Sequence, residues 1–338
     1  MSDAVRHAIG MLVAGERPAP GDIGAAFEAV LGGGAEPVLI ASLLTALAIR
    51  GETTEDIVAG ARVLRANLRP VTAPAGAVDT CGTGGLPWVS LNTSTAAAFV
   101  AAGAGAIVAK HGNRSAPPKT GSADVLEALG VNLAPSETQV QACFEQAGLA
   151  FMFAPGHHSA MRHVAPVRKA LGIRTIFNLL GPLANPAGAR RQVLGVFEAR
   201  WVEPYAQALR SLGTERAWVV HGLDGMDEIS TTAPTRIAEL RDGAVRLFEL
   251  TPEEMGIDRA SLGELRGGST AYNADAIRAV LDSAAGAFAD LVVVNAAAAL
   301  VVAGVAANIS DGIVQARAAI ASGEAKGSLA ALVRASNA

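Results

Sequence analysis

The chain has 338 residues, of which 51% are hydrophobic and only 4% aromatic, with 27 basic against 31 acidic residues. This size predicts a sizeable core, organised as one large domain with a smaller one. The formal net charge of -4 gives no basic surplus and argues against nucleic acid as a partner. Two cysteines, Cys81 and Cys143, make neither a disulfide framework nor a zinc site, and they favour a reducing cytoplasm. The most apolar run, 291–307, is short and contains an Asn, so we expect a buried helix rather than a membrane span.

Residues 1–70 are predicted to be helical. Apolar residues recur at helical spacing in three segments: Ala4–Ala14, Gly21–Leu31 and Pro37–Arg50. Thr53 with Asp56 resembles a capping box that opens a fourth helix, which Pro70 stops. The Pro-rich stretch 69–77 is predicted to be a hinge. This unit carries no catalytic pattern, so we expect it to serve packing or, as a second interpretation, to form a dimer face.

Two polar loops follow two consecutive strands in the stretch 78–130. The first, Gly82-Thr83-Gly84-Gly85, ends its strand because glycines favour turns. The side chains of Asn92-Thr93-Ser94-Thr95 are expected to cap the helix that follows. A buried strand over Gly105–Ala109 then leads into a polar loop, Lys110–Gly121. In an open α/β sheet, loops at these strand ends form the ligand edge.

The chemistry of these loops favours an anion as ligand. Glycine N–H groups can form a nest, and a helix N-terminus adds unpaired donors and a positive dipole end. Hydroxyls and full charges come from Ser90, Ser94, Thr95, Lys110 and Arg114. A tight strand-to-helix turn explains the glycines equally well when they are taken alone, but not the two loops together. Among the histidines, His111 is the one we expect near a ligand.

Strand and helix patterns continue to alternate beyond residue 130. Short helical pieces near 162–171 and 176–180 are predicted to return to the helical unit. We therefore predict an α/β fold in which a small all-helical domain is hinged to a large α/β domain with a central, mainly parallel sheet. The helical domain takes residues 1–70 and about 159–186, and the α/β domain takes residues 71–158 and 187–338.

Asp227-Glu228 lies just beyond a predicted strand that starts at Arg216, in a glycine-containing loop. Adjacent carboxylates suit Mg²⁺, which prefers oxygen ligands and often binds substrate phosphates as well. Without the phosphate-type loops, a solvated acidic turn would be the better interpretation. With those loops, the pair indicates a metal–phosphate site.

Arg168 is a candidate for holding a planar carboxylate, because a guanidinium can bind one through two hydrogen bonds. An ordinary surface arginine is the alternative interpretation, and three other cations compete for the role: Arg162, Lys169 and Arg174. Neither cysteine has the paired histidine of a nucleophile. We assign no general base.

Taken together, these motifs resemble the anthranilate phosphoribosyltransferase family over nearly the whole chain. The resemblance rests on GTGG at 82–85, NTST at 92–95, KHGNR at 110–114, GSAD at 121–124, AMRHVAPVR at 160–168, NLLGPL at 178–183, and Asp227-Glu228. The KHGNR loop and the order of the motifs are specific, whereas GTGG alone is not.

The resemblance implies a fold shared with pyrimidine nucleoside phosphorylases, a homodimer through the helical domain, and transfer of the phosphoribosyl group of PRPP to the amine of anthranilate. It implies that Asn113 and Arg168 contact anthranilate. It also implies Mg²⁺ as the cofactor, held by Ser94, Asp227 and Glu228. The residues implied to contact PRPP are Gly82, Gly85, Ser90, Asn92, Ser94, Thr95, Lys110 and Ser122. The predicted substrate site also includes the other members of KHGNR, which are His111, Gly112 and Arg114.

The chain departs from the family pattern at two places. Leu86 stands where the family usually has an Asp after GTGG, and Pro117-Pro118 stands where small hydroxyl residues are usual. Leu86 removes a carboxylate near the diphosphate, and each proline removes a backbone N–H donor.

Two other functions are kept as alternatives. A related transferase or nucleoside phosphorylase with another acceptor would leave Arg168 without a carboxylate to bind. A non-catalytic homologue would bind a partner or nucleic acid, and the acidic balance with the intact KHGNR and Asp227-Glu228 motifs argues against it.

Overall fold

The computed structural model describes residues 2–84, 86, 88–115 and 120–338. Gly85, Pro87 and Pro117-Pro118 therefore lie outside the described residues. The chain opens with four helices: α1 (Ser2–Val13), α2 (Pro20–Leu31), α3 (Pro37–Arg50) and α4 (Thr54–Ala66). At the start of α4, Thr53 Oγ1 accepts from the Asp56 N–H at 3.2 Å, and Asp56 Oδ2 accepts from the Thr53 N–H at 2.9 Å. This reciprocal pair is the expected capping box.

The apolar faces of these helices meet in one core. Phe27, Leu44 and Ile57 are fully buried there, and Phe177 packs its ring edge-on against Phe27 with centroids 5.8 Å apart. Buried residues between Ala160 and Ala184 belong to the same apolar cluster. The segment that the sequence predicted to return to the helical unit thus packs against it.

The described residues form a seven-stranded sheet. Its strands are β1 (Val78–Gly82), β2 (Val108–Gly112), β3 (Leu149–Phe153), β4 (Arg191–Gly195), β5 (Arg216–Gly222), β6 (Thr235–Arg241) and β7 (Ala244–Leu250). The spatial order is β3-β2-β1-β4-β5-β6-β7. Neighbours from β3 to β5 are parallel, and β6 and β7 are antiparallel. The predicted fold class, a helical unit with an α/β unit whose sheet is mainly parallel, is confirmed.

The remaining helices cover the sheet and connect it to the helical unit. They are α5 (Thr93–Gly103), α6 (Ser122–Ala128), α7 (Glu137–Ala147), α8 (Ala154–His157), α9 (Ala165–Leu171), α10 (Phe177–Leu180), α11 (Val202–Ser211), α12 (Thr270–Leu281), α13 (Ala287–Ala303), α14 (Ile309–Ala321) and α15 (Glu324–Asn337). From Leu291 to Ala303, α13 is buried, as expected for a core helix. Among the helices of the described residues, none combines the length and apolarity that crossing a bilayer would require.

Two local expectations were wrong. The predicted loop Lys110–Gly121 begins too early, because Lys110, His111 and Gly112 are the last residues of β2. A lysine is tolerated in this buried strand because its Nζ finds oxygen partners across the sheet edge. Asn92 does stand at the N-cap of α5, but its side chain makes no capping hydrogen bond. It is used elsewhere, as described below.

The sheet order creates the ligand edge. The chain leaves β1 toward β2 on one side, and β4 pairs with β1 on the other, so the carboxyl ends of these strands flank a topological switch point. A crevice opens at such a point in α/β sheets. Gly82 of β1 lies opposite Gly195 of β4, which sets the glycine turn at this crevice.

Candidate active site

One cleft with two compartments opens at the carboxyl ends of the strands. The larger has a volume of about 730 Å³ and the smaller about 320 Å³. Both compartments are bordered by Cys81–Thr83 and by His111–Arg114, so they meet along the glycine turn and the end of β2. The two loops predicted to bind an anion therefore lie side by side.

The glycine turn rests directly on the acidic loop. The Gly84 N–H donates a 2.7 Å hydrogen bond to Asp227 Oδ2. A Cβ atom at Gly82 would lie only 2.5 Å from the same oxygen. A larger residue at position 82 would have to displace the Asp227 carboxylate. Gly85 lies outside the described residues.

Glu228 faces the small compartment beside the N-terminus of α5. Burial, together with the neighbouring charge of Asp227, raises the pKa of Glu228 to about 8. Hydrogen bonds from Thr93 and from the Ser94 backbone oppose this shift without cancelling it. Glu228 Oε2 is buried and has no hydrogen-bond partner within the part of the chain that the structure describes.

That unpartnered oxygen and Asp227 form a pair of carboxylates suited to a hard cation. Within the described part of the chain, no group of three or more His, Cys, Asp or Glu residues is arranged to hold a metal. The pair would therefore need further oxygen ligands, and the hydroxyl of Ser94 borders the same compartment. The donor set fits Mg²⁺, which commonly takes one or two carboxylates and completes its shell with water and phosphate.

Lys110 lies at the floor of the small compartment and is only 2% exposed. Its Nζ donates to Thr80 O at 2.6 Å and to Ser94 Oγ at 3.3 Å. Burial lowers the pKa of Lys110, and the nearby charge of Asp79 opposes that effect. The lysine therefore fastens the end of β1 to the start of α5 and leaves a cation next to the loops.

Asp79 is a buried carboxylate that the sequence analysis did not single out. It is fully buried in β1, and its Oδ1 accepts from the His111 N–H at 3.2 Å. Burial raises the pKa of Asp79, and hydrogen bonding and the charge of Lys110 counteract the rise. The available signal was a charged residue inside an apolar strand just before the glycine turn.

The other predicted anion contacts surround the small compartment. Ser90, Asn92, Thr95 and Ser122 all border it. Thr95 Oγ1 is buried, and none of the described residues forms a hydrogen bond with it. Asn92 Nδ2 donates to Thr120 O at 2.9 Å, which fastens the start of α5 to the loop before α6. The structure thus brings these four residues together as predicted.

Gly112 and Ser122 come into close contact where β2 meets α6. A Cβ at Gly112 would lie 2.1 Å from Ser122 Oγ. A larger residue at position 112 would have to displace the Ser122 hydroxyl, so the glycine of KHGNR allows α6 to approach the strand end and places Ser122 on the border of the compartment.

The larger compartment contains the predicted carboxylate-binding arginine. Arg168 borders it, with its guanidinium carbon 5.9 Å from the ring centre of Phe177. Burial lowers the pKa of Arg168, and no carboxylate of the described residues forms an ion pair with it. Arg162 borders the compartment too, whereas Arg174 stacks on Phe197, 4.4 Å from the ring centre.

Two histidines form part of the wall. His111 Nε2 and His158 Nε2 lie 3.2 Å apart, and both side chains are buried. Burial first, and the neighbouring imidazoles second, lower the pKa of His111 to about 3 and that of His158 to about 4. Both rings are therefore neutral at physiological pH and share one hydrogen bond. His158 was not assigned to the site from the sequence.

Asn113 and Arg114 border both compartments. Arg114 is engaged by two carboxylates, with Nη1 2.9 Å from Asp124 Oδ1 and 2.8 Å from Glu127 Oε2. These bonds raise the pKa of Arg114, so its charge is held toward α6. Asp124 Oδ2 also accepts from the Gly121 N–H at 2.9 Å and thus orders the loop before α6.

Leu86, which stands where the family usually has an Asp, has an apolar environment. It is 8% exposed and belongs to a small cluster with Met226, Leu265 and Leu291. Trp88 packs against this cluster. Leu86 also borders the small compartment, so one side chain joins the glycine turn to the residue that precedes Asp227.

Several residues of the larger compartment were not predicted from the sequence as site residues. Phe177, Asn178 and Pro182 border it. Asn178 and Pro182 lie in the NLLGPL motif that carried the resemblance, which was the only signal for them.

Comparison with known proteins agrees with this architecture. A family model described as glycosyl transferase family, a/b domain, matches residues 75–326, and one described as glycosyl transferase family, helical bundle domain, matches residues 6–68. The class defined by the fold and the cleft is therefore a glycosyl transferase that joins a helical bundle to an α/β domain.

Individual relatives narrow the class. The anthranilate phosphoribosyltransferase of Hyphomonas neptunium is 54% identical over 92% of this chain and 91% of its own. The crystal structure of the enzyme of that name from Thermus thermophilus superposes with a TM-score of 0.92 at 44% identity, covering 100% of both chains. The Saccharomyces cerevisiae enzyme in complex with PRPP and Mg has a TM-score of 0.89 at 25% identity, covering 100% of this chain and 99% of that one. The chain belongs to the anthranilate phosphoribosyltransferase family.

Proposed function

We propose that this protein transfers the phosphoribosyl group of PRPP to the amine of anthranilate, releasing pyrophosphate, as a step of tryptophan biosynthesis. The observation that carries the proposal is one cleft with two chemically different compartments. The small one is lined by hydroxyls, amides, a buried lysine and a carboxylate pair, which suit a diphosphate with its cation. The large one holds Arg168 without a carboxylate partner among the described residues, which suits an aromatic acid.

The diphosphate side would be bound by residues from four elements. Ser90 and Asn92 precede α5, Ser94 and Thr95 open it, Lys110 lies in β2, and Ser122 opens α6. Backbone N–H groups at the start of α5 and a nearby cation favour an anion there. Gly82 and Gly112 would let the backbone and neighbouring loops approach closely.

Asp227, Glu228 and Ser94 would hold Mg²⁺. The fit rests on the buried Glu228 Oε2, which has no hydrogen-bond partner among the described residues. When bound, Mg²⁺ would neutralise part of the charge that develops on the leaving diphosphate. Glu228 must lose its proton to serve as a ligand, because its pKa lies near 8 before a cation binds.

The acceptor side would be bound by Arg168 and Asn113. Arg168 would hold the carboxylate of anthranilate through paired hydrogen bonds, which fixes the plane of the ring. His111 and His158 are neutral, so they present no charge that would compete with Arg168 for the carboxylate.

The reaction forms a bond from the acceptor nitrogen to ribose C1, breaks the bond from C1 to the diphosphate, and releases one proton from the nitrogen to the leaving pyrophosphate or to solvent. The aniline-type nitrogen is already a nucleophile, so the chain has to supply orientation and charge stabilisation rather than a strong base. Lys110 and the N–H groups at the start of α5 would stabilise the leaving group, while Arg168 would aim the nitrogen at C1.

The test is the decrease of anthranilate fluorescence on adding protein, PRPP and Mg²⁺, with reactions lacking PRPP or treated with a chelator as controls. We expect the decrease only in the complete mixture. A fluorescence trace that stays constant while PRPP is consumed with another acceptor, or PRPP binding with no turnover, would replace the proposal with one of the alternatives.

We further propose a homodimer of two-domain subunits in the cytoplasm. The helical domain would take residues 1–70 and about 159–186, and the hinge would fall near 69–77. Large apolar side chains on the helical unit support the dimer face: Val13, Val38 and Ile49 are 78%, 63% and 79% exposed. The two free cysteines agree with a reducing compartment. Light scattering of the purified protein measures its oligomeric state. Ile49→Glu should yield monomers, because it places a charge on the proposed dimer face.

A further inference from the structure

Asn273 is a buried polar residue near the cleft that does not border it. It lies in the first turn of α12 and is 0% exposed. Its Oδ1 accepts from the Gly268 N–H at 2.8 Å, and its Nδ2 donates to Ser90 O at 3.0 Å and to Asn92 Oδ1 at 2.9 Å. Both donors and the acceptor of this amide are therefore satisfied.

Backbone groups fix the orientation of this amide. The Gly268 N–H can only donate, so it must face the oxygen of Asn273, and Ser90 O can only accept, so it must face the nitrogen. With the nitrogen of Asn273 directed at Asn92, the near atom of Asn92 must be its oxygen. The other end of the Asn92 amide is then Nδ2, which donates a hydrogen bond to Thr120 O at 2.9 Å.

The two amides form a relay between three loops. Asn273 fixes the loop at Ser90, Asn92 fixes the start of α5, and Thr120 belongs to the loop that precedes Ser122. The loop before α12 also pairs with the loop at Ser90, because Ser90 and Arg266 form an antiparallel bridge. A Cβ at Gly267 would lie 2.2 Å from Ser90 O, so the two segments are in direct contact.

We propose that Asn273 is a positioning residue for the PRPP compartment, which sets the amide of Asn92 so that its N–H₂ group is directed toward the Thr120 loop and the bound diphosphate. The inference rests on the proposed function. It adds a residue outside the cleft that, together with Thr120 O, holds the end of Asn92 that the substrate meets. Without the Nδ2 donor of Asn273, Asn92 Oδ1 loses this hydrogen bond and only the bond to Thr120 O still holds the amide, so its N–H₂ group is positioned less firmly beside an anion.

The decisive variant is Asn273→Asp, which keeps the size of the side chain but replaces both donors by lone pairs. We expect the PRPP KM to rise about tenfold, the effect of losing one or two buried hydrogen bonds, while the anthranilate KM stays within about twofold. Calorimetry of PRPP binding should show the same loss of affinity. Asn273→Ala is a second variant, which removes the donors without adding a charge.

A matched control is Asn132→Asp. Asn132 also bridges two backbone segments, with Nδ2 2.9 Å from Ser336 O and Oδ1 3.0 Å from the Ala134 N, but it borders neither compartment of the cleft. The same chemical change there should leave both KM values unchanged. A double-mutant cycle gives the final criterion, because in an Asn92→Ala background Asn273→Asp should add little further loss of PRPP affinity.

Three outcomes would overturn the inference. They are an equal rise of both KM values, a lowered melting temperature with unchanged PRPP binding, and a double variant whose loss of PRPP affinity equals the product of the two single-variant losses. The proposed function fails separately, if the wild-type protein binds PRPP but does not consume anthranilate. In that case the calorimetric comparison still tests the relay. A wild-type protein that does not bind PRPP would overturn both.

Discussion

The Gly84 N–H donates to Asp227 Oδ2 over 2.7 Å, although 143 residues separate the two in the chain. The glycine turn that would cradle a diphosphate is thus hydrogen-bonded to the carboxylate that would hold its metal. We therefore expect ligand binding at the glycine turn to change metal binding at Asp227, and metal binding to change ligand binding.

The first prediction concerns the acidic pair. The protein should bind Mg²⁺ weakly by itself, because Asp227 and Glu228 offer few ligands without substrate oxygens. Replacing them together by Asn and Gln should abolish both the Mg²⁺ dependence and most of the activity. Mg²⁺ titration of the transfer rate measures the effect.

Asp242→Asn is the control, because Asp242 lies in the β6–β7 turn at a φ of 52°, a conformation that asparagine tolerates. Normal activity of the doubly substituted protein would remove the pair from the metal site.

The second prediction concerns the acceptor. Arg168→Ala should raise the KM for anthranilate more than the KM for PRPP. The loss of a charged hydrogen-bond partner should weaken transition-state binding by about 1.5–3 kcal/mol. Initial rates with each substrate varied in turn provide the measurement. Arg174→Ala is the matched control, because Arg174 is held on Phe197 instead of facing the cleft. An unchanged anthranilate KM in the Arg168 variant would assign the carboxylate to another residue, beginning with Arg162.

The third prediction concerns Leu86, where the family usually has a carboxylate. Leu86→Asp should gain inhibition by excess Mg²⁺, because a third carboxylate beside Asp227 and Glu228 can hold additional metal. Leu86→Asn separates this effect from packing, since it opens the same apolar cluster with Met226 and Leu265 without adding charge. If both variants give Mg²⁺ curves of the same shape as the wild type, Leu86 serves packing alone.

The fourth prediction concerns pH. The pKa of His111 is lowered from 6.5 to about 3 in the folded protein, so folding opposes its protonation. Its contribution to stability is fully present above pH 6.5 and is lost as the pH falls toward the folded value. Urea unfolding at about pH 7 and about pH 5 should show a smaller acid-induced loss for His111→Asn than for the wild type.

His7→Asn, at an exposed position, is the control for the pH experiment and should show the wild-type loss. Equal losses in the wild type and the His111 variant would mean that this histidine titrates alike in the folded and unfolded states.

The sequence determined the features that depend on short-range patterns. Helical spacing in residues 1–70 predicted α1 to α4, and the apolar run at Leu149–Phe153 matches β3. The polar loops identified the ligand edge, because parallel strands in such a sheet end at the same side. The individual roles proposed for the site residues remain predictions, although the structure gathers the described ones around one cleft.

Only the tertiary structure decided the contacts between distant segments. Asn273 meets Asn92 across 181 residues, and His158 meets His111 across 47. Neither pair leaves a periodic or compositional signal, because each partner is an ordinary polar residue until folding places the two together. Lys110 shows the same limit within one element: its charge predicted a loop, but oxygens from Thr80 and Ser94 stabilise it inside a strand. Burial and hydrogen-bond partners are properties of the folded chain, and they override local preference where the chain path brings suitable groups within reach.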